Sequence, residues 1–492
     1  MIYYYRRKYM KVISIDIGAT SGRVMTVTEK DGIISYEENA RFENRLVEKD
    51  DTLYWDFPLL LNNIQNGLKK ALAEHPDVKS VSIDTWAVDY GVLDQNGNLK
   101  GLPLCYRDRH SFGKQKEFLD KIPFEKIYSK VGIQNLHFNT IYQLYKDERI
   151  RLGDKVVLIP DLIAYFLTGS IRMEETNAST TSLYDSRKKK MDEELLASLS
   201  LPASVFPEII YPGESYGYLR KEAYPDGYKG KPVEVLACCS HDTASAVLGT
   251  DGFGQFAYLS SGTWSLLGTE LKEPLLDEAS RNANFTNEIG YGSSVRYLKN
   301  TMGMFLINEV RKEFANKGKP IPVSKIKEYV DESEDIDSYL DVDDPCFETP
   351  GEMIEKVDRY LERTGQTKPT DEKQYLRLVY QSMALSYRLL IETLEKLVSH
   401  RMDSLIIVGG GNQAVVLNQF TANAINRKVV TGPVEATVIG NSLVQFIRHG
   451  VFKDVKEARE AVYRSTSSSS YLPLDVDIWN KKYEKFRKVI KR

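Results

Sequence analysis

The segment Ile15-Asp16-Ile17-Gly18-Ala19-Thr20-Ser21-Gly22-Arg23 decides how the chain is read, because about half a chain later Leu259-Ser260-Ser261-Gly262-Thr263-Trp264-Ser265 repeats its design. In each, an apolar or β-branched run enters a turn of Gly, Ser and Thr and leaves through apolar residues, Val24-Met25 in one and Leu266-Leu267 in the other. That pattern predicts a β-hairpin whose tip presents free backbone N–H groups and hydroxyls. Such a tip is an anion cradle, and two of them suit a polyphosphate held from both sides. The repetition therefore predicts a two-domain, nucleotide-dependent phosphotransferase.

The bulk properties agree with two domains and exclude several functions. A chain of 492 residues is too long for one core, so two domains of roughly 200 residues or more are expected. The glycines of Gly249, Asp251-Gly252 and Gly254 predict the break, which divides the chain into 10–248 and 249–492. Residues 1–9 are basic and aromatic and lack the apolar core of a secretory signal, so they read as an extension without function; Met10 directly precedes a natural first strand. Hydrophobic (42%) and charged (27%) contents are those of a soluble globular protein. A net charge of −3 gives no basic footprint, so no nucleic-acid partner is indicated. No apolar run approaches the length of a membrane span, and nothing points to an obligate protein partner. Four cysteines, two of them the neighbours Cys238-Cys239, form no CxxC pair, as fits a reduced cytoplasm.

Periodicity places the candidate residues on elements. Val12 to Ile17 and Val24 to Glu29 read as the arms of the first hairpin, Asp56 to Ala73 as an amphipathic helix, and Val81 to Asp84 and Tyr90 to Leu93 as strands. Asn96-Gly97-Asn98 is a tight turn. Leu376, Val379, Met383, Tyr387, Leu390, Leu394 and Leu397 recur at steps of three and four, the sign of a long helix with a buried face. It leads into the strand Ser404 to Val408, the turn Gly409-Gly410-Gly411 and a second helical pattern through Leu417, Phe420 and Ala424. Ser465 to Ser470 is a short polar run, and the chain ends in a basic helix that reads as a solvated face.

Four places offer chemistry. Asp16, at a strand end beside the first turn, stands where a phosphate-bridging Mg²⁺ needs an oxygen ligand, or where a carboxylate caps local N–H groups. Gly409-Gly410-Gly411 lets a ligand approach the backbone before a helix N-terminus. Asp242, in His241-Asp242-Thr243-Ala244-Ser245-Ala246, is either the N-cap of a small-residue helix or a general base for a hydroxyl. Asp84-Thr85-Trp86-Ala87-Val88-Asp89-Tyr90 joins acceptors and aromatic faces, as suits a sugar, with core packing the alternative for Trp86. No GxxxxGK[ST], GxGxxG at the Gly-rich turns, HExxH, GxSxG or spaced Cys/His cluster occurs, which removes Walker-type, zinc and serine-hydrolase readings.

These segments, together with Tyr106-Arg107-Asp108, Phe138 to Leu144, Pro160-Asp161 and Lys299-Asn300-Thr301-Met302-Gly303, resemble the FGGY carbohydrate kinases from about Lys11 to past Phe446. The resemblance implies an α/β fold of two RNase H-like, actin-like ATPase domains around a central cleft. It implies ATP and Mg²⁺ as cofactors and a ketose as acceptor, L-rhamnulose phosphorylated at O1, with another ketose such as L-fuculose or a non-catalytic binding member as alternatives. Carried over motif by motif, Ala19, Thr20, Ser21, Gly22, Arg23 and Thr263 would cradle the ATP phosphates, Asp16 would organise Mg²⁺, and Asn308 and Gly411 would lie against the nucleotide. Asp242 would accept the proton of the sugar's primary hydroxyl, and Ala87, His241, Thr243 and Asn300 would contact the sugar. The family often has Gly where this chain has Ala87 and Gln where it has Asn308. The added methyl at Ala87 narrows a sugar-facing position, which bears on ketose preference.

Overall fold

The computed structural model describes residues 9–250, 252 and 255–490. The extension up to Lys8 and the break residues Asp251 and Gly254 lie outside the described residues. The described residues form two compact units, which fall within 1–251, 270–297 and 435–466 for one and within 252–269, 298–434 and 467–492 for the other. Two later segments thus return to the first unit, so a linear division at 248/249 describes the chain and not these units.

In the first unit, six strands form one sheet in the order 215–218, 234–236, 80–85, 10–17, 21–30, 33–43. Met10–Ile17 and Ser21–Lys30 are the arms of the first hairpin, paired antiparallel with Asp16 opposite Arg23. Met10–Ile17 also runs parallel to Ser80–Thr85, with Asp16 opposite Asp84. Strands covered on both faces read as almost unbroken apolar runs, and the alternation of side chains sorts them between two cores. Ile13, Ile15, Ile17 and Val24 face the helix Phe57–Glu74, which contributes Phe57, Leu60, Ile64, Leu68 and Leu72. Met10, Val12, Met25 and Val27 face the helix Ala436–Arg448, which contributes Val438, Ile439, Leu443, Val444 and Phe446. Asp56 caps the first of these helices by accepting from Leu59 N at 3.1 Å. Gly67 in that helix is required by close approach: a Cβ there would lie 2.6 Å from Val24 Cγ2.

The second unit repeats the hairpin-plus-parallel-strand arrangement. Phe256–Ser261 pairs antiparallel with Trp264–Leu271 and parallel with Ser404–Val408. Val429–Thr431 extends the sheet in parallel, and Ser470–Tyr471 closes it antiparallel. The long helix is Glu372–Val398, and the strand Ser404–Val408 follows it as the spacing predicts. The C-terminal helix Val476–Ile490 is not solvated all round. It buries Trp479, Tyr483 and Phe486 with Tyr339, Ala384, Leu385 and Ala424, and its Lys482 Nζ donates to Asp335 at 2.6 and 2.7 Å. All four cysteines are free. No helix among the described residues is long and apolar enough to cross a membrane.

Candidate active site

Three carboxylates of the first unit stand at neighbouring ends of its elements. Ser14-Ile15-Asp16 and Ser82-Ile83-Asp84 are the same tripeptide at the ends of two parallel strands, paired residue for residue. The third, Asp242, starts the helix Asp242–Leu248, whose entry is fixed to the Asp84 strand: Thr85 bridges His241, and Thr85 N donates to Ser240 O at 2.9 Å.

Each carboxylate has its own environment. Arg23, opposite Asp16 in the hairpin, donates from Nη2 to Asp16 Oδ2 and from Nη1 to Glu435 Oε2. Its guanidinium is thus shared between two acids and orients Asp16. Asp84 is fully buried; its Oδ2 accepts from Asn441 Nδ2 at 2.6 Å, and its Oδ1 has no partner among the described residues. Burial, reinforced by the charges of Asp16 and Asp242, pushes the Asp84 carboxyl well above the usual range. Asp242 keeps 31% side-chain exposure, so a substrate can reach it. Its Oδ1 accepts from Thr243 N at 2.6 Å and Thr243 Oγ1 at 3.1 Å, and lies 3.4 Å from His241 Nε2. Desolvation raises its proton affinity, with Asp16 adding to the effect and His241 and the Thr243 donors opposing it. The N-cap position belongs to His241, whose side chain makes no capping bond. Asp242 is therefore not consumed as a cap.

The loop beside this cluster is strained and tightly held. Val88 has φ 69°, a left-handed conformation that costs a non-glycine residue about 1–2 kcal/mol. Its carbonyl accepts from Thr140 Oγ1 at 2.7 Å, and Asp89 N donates to Ala87 O at 2.9 Å, so Ala87 sits at the bend. Asp89 takes four donors: Trp55 Nε1, Trp86 Nε1, Tyr106 N and Gln143 Nε2, at 2.6 to 3.1 Å. Burial nonetheless raises its pKa from 3.8 to about 6. Trp86 is thus a core residue, packed on Trp55 with ring centroids 4.2 Å apart. On the far side of the strand end, buried Glu174 accepts from Ser240 N and Oγ and from Thr176 N and Oγ1, which fixes the approach to His241.

The second unit holds the other candidates. The hairpin tip at Gly262-Thr263 is clasped from behind: Met304 N donates to Gly262 O at 2.9 Å, and Gly303 has no room for a Cβ, which would lie 2.7 Å from Thr263 O. Gly411 packs on the same hairpin, since a Cβ there would meet Ser261 Oγ at 1.9 Å. Gly409, at φ 82°, turns the chain away from the strand end. Next to this turn lies a cavity of ≈ 420 Å³ lined by Met304, Asn308, Arg311, Tyr380, Gly410 and Ala414 among others. Asn308 lines this cavity and Gly411 follows its wall residue Gly410, while Thr263 lies at the hairpin tip and Asn300 in the strand Val295–Met302, all within the second unit. Asp16, Ala19 to Arg23, Ala87, His241, Asp242 and Thr243 all belong to the first unit.

At the first tip, Gly18 N donates to Ser21 O at 2.9 Å, and Asn44 N donates to Thr20 O at 3.0 Å. The two tips differ in length: Ile17 faces Gly22 in the first, Ser261 faces Ser265 in the second. Sequence reasoning places Asp84 among sugar-facing acceptors and not beside Asp16, although the repeated Ser-Ile-Asp is a visible signal of the pairing. Glu174, Glu288, Arg296, Glu435 and Asn441 carry no local signal. The carboxylate oxygens of Asp16 and the unpartnered, buried Oδ1 of Asp84 are hard donors of the kind a Mg²⁺ prefers, so these residues fit that ion.

Residues 11–249 match the N-terminal domain, and residues 257–449 the C-terminal domain, of the FGGY family of carbohydrate kinases. Among curated proteins the chain is 36% identical over 484 residues to a rhamnulokinase of Bacteroides thetaiotaomicron, covering 97% of this chain and 99% of that one. It is 38% identical over 484 residues to a rhamnulokinase of Enterococcus faecalis, covering 97% of each. Among solved structures, Plasmodium falciparum glycerol kinase with ADP superimposes with a TM-score of 0.79 at 17% identity, covering 98% of both chains. A xylulose kinase from Lactobacillus acidophilus gives 0.78 at 15% identity, again over 98% of both. These structures share the two-domain kinase fold with this chain.

Proposed function

The chain belongs to the FGGY family of carbohydrate kinases, and from that membership we propose that it transfers the γ-phosphoryl group of ATP to O1 of L-rhamnulose, giving L-rhamnulose 1-phosphate and ADP. Support for the acceptor comes from relatives called rhamnulokinases that match along nearly the whole chain. The observation that carries the chemistry is Asp242: a reachable carboxylate with raised proton affinity, held on Oδ1 by Thr243 and not used as a cap.

In this reading Asp242 accepts the O1 proton as O1 attacks the γ-phosphorus and the bond to the leaving ADP oxygen breaks. A positioned base contributes roughly 10²–10⁴-fold, and the rest comes from alignment and charge stabilisation. Ala19, Thr20, Ser21 and Gly22 cradle phosphate with backbone and hydroxyl donors, and Thr263, Asn308 and Gly411 hold the nucleotide. Ala87, His241, Thr243 and Asn300 hold the sugar. Asp16, oriented by Arg23, and Asp84 would hold Mg²⁺. When bound, that ion supplies positive charge to the phosphates and to the charge that develops on them.

ADP release with Mg-ATP, measured across L-rhamnulose, L-fuculose, D-xylulose, L-ribulose and glycerol, tests the proposal. The expected outcome is a kcat/KM preference for L-rhamnulose and, in Asp242→Asn, a kcat lower by about 10²–10⁴-fold with nucleotide binding kept. Preference for another ketose overturns the substrate assignment, and a variant that keeps most of its kcat overturns the base.

A further inference from the structure

Behind His241 lies a buried ion pair that the reaction as described does not use. Arg296 has no exposure; its Nη2 lies 2.9 Å from His241 Nδ1 and 2.9 Å from Glu288 Oε2, and its Nε donates to Ile289 O at 3.2 Å. Burial raises the Glu288 carboxyl, but the charge of the adjacent Arg296 guanidinium is the chief opposing influence and the carboxyl stays below the usual range. Glu288 and Arg296, eight residues apart, come from the successive strands Thr286–Ile289 and Val295–Met302, and His241, 55 residues before Arg296, from the entry to the Asp242 helix. All three belong to the first unit.

The chemistry of the guanidinium decides the arrangement. Arg carries N–H donors and no acceptor, so Nη2 can only donate, and its two hydrogens match its two partners. His241 Nδ1 must then accept, which in the neutral imidazole leaves the proton on Nε2, the nitrogen 3.4 Å from Asp242 Oδ1. The alternative, Nδ1–H turned to Glu288 Oε2 3.3 Å away, would set that hydrogen against an Arg296 donor 2.9 Å from the same nitrogen.

We infer that Arg296 and Glu288 are positioning residues that fix His241 as its Nε2–H tautomer, so that a hydrogen-bond donor faces the Asp242 carboxylate. Glu288 holds the guanidinium, the guanidinium sets the imidazole, and the imidazole presents its Nε2–H toward the carboxylate 3.4 Å away, which Thr243 holds. The inference rests on Asp242 as the proton acceptor only for its effect on rate; the tautomer is a property of the protein alone.

The test is long-range ¹H–¹⁵N correlation on the full chain labelled at its six histidines, with the His241 signals assigned by their loss in His241→Gln. The expected pattern is that of an Nε2–H imidazole in the wild type and in Glu288→Gln, where Arg296 still donates. A wild-type Nδ1–H pattern overturns the inference. Arg296→Met should let Nδ1–H pair with Glu288 and lower kcat by on the order of 10–100-fold, as loss of an orienting partner does. Because it takes the compensating positive charge from a buried carboxylate and can fail to fold, Arg296→Met/Glu288→Gln is measured beside it. A double variant that folds but keeps both the Nε2–H pattern and the wild-type kcat refutes the positioning role. Asp242→Asn, inactive with the wild-type tautomer, would separate the two proposals: the base stands on its kcat, the lock on its spectrum.

Discussion

Gly440→Ala adds one methyl group, and the structure leaves no place for it. An ideal Cβ at residue 440 would lie 1.8 Å from Ser245 O and 2.9 Å from Gly249 N, while a Cβ at Gly249 would lie 2.1 Å from Ala436 O. The obstacles are backbone atoms, so no rotamer change relieves them. The helices Asp242–Leu248 and Ala436–Arg448 must part by about 1 Å to bring the contact near 3.0 Å, below which real Cβ atoms are essentially never found. Overpacking of this kind costs about 1–3 kcal/mol, and in a unit of this size each kcal/mol lowers Tm by roughly 1–2 °C. The shift also moves chemistry, because one helix starts with Asp242 and the other carries Asn441, the partner of Asp84, next to the substituted residue. A 1 Å displacement of catalytic groups typically costs about 10²-fold in rate. Calorimetric melting and the coupled ADP assay should therefore show both a lower Tm and a kcat lower by about two orders of magnitude. Ser442→Ala, which removes only a bond to Val438 O in the same helix, serves as the control. A Gly440→Ala protein with the Tm and kcat of the wild type would refute the argument that this close crossing positions the site.

Other perturbations read other parts of the molecule. Asp89 has a folded pKa of about 6 against an ordinary 3.8, so between about pH 4 and 6 the folded state keeps a proton that the unfolded chain releases. Its stabilising contribution is present below about pH 4 and is lost as pH rises to about 6, an effect of roughly 3 kcal/mol at most; urea midpoints of wild type minus Asp89→Asn at pH 4.5 and 6.5 should differ in that direction, and equal differences would count against it. Ala414→Trp places a ring in the ≈ 420 Å³ cavity and should raise KM for ATP about tenfold or more with Tm kept, as stopped-flow binding of a fluorescent ATP analogue would report. Asp16→Asn removes a hard charged ligand and should weaken Mn²⁺ binding in the presence of a non-hydrolysable ATP analogue, read by electron paramagnetic resonance; unchanged Mn²⁺ affinity would remove Asp16 from the metal site.

Local pattern in the chain encodes part of this protein. Two Gly-Ser-Thr turns between β-branched runs are hairpins because strand pairing and turn chemistry act over a few residues, and the structure has them at 10–30 and 256–271. The step of three and four in 376–397 is a helix, and Gly409 is a turn because its positive φ admits little else. The candidates Asp16 and Asp242 were legible because strand ends and helix starts are visible in the chain. Tertiary structure alone decided their company. Segments 270–297 and 435–466 return to the first unit, bringing Glu435 to Arg23, Asn441 to Asp84, and Glu288 with Arg296 to His241. The close crossing at Gly440 is likewise silent in sequence, since a glycine there could as well be a helix fault. Whether Trp86 packs or binds a sugar turned on Asp89, which accepts its Nε1–H beside that of Trp55. Contacts between residues tens to hundreds of positions apart leave no periodicity behind, because they depend on which faces the folded elements bury against one another.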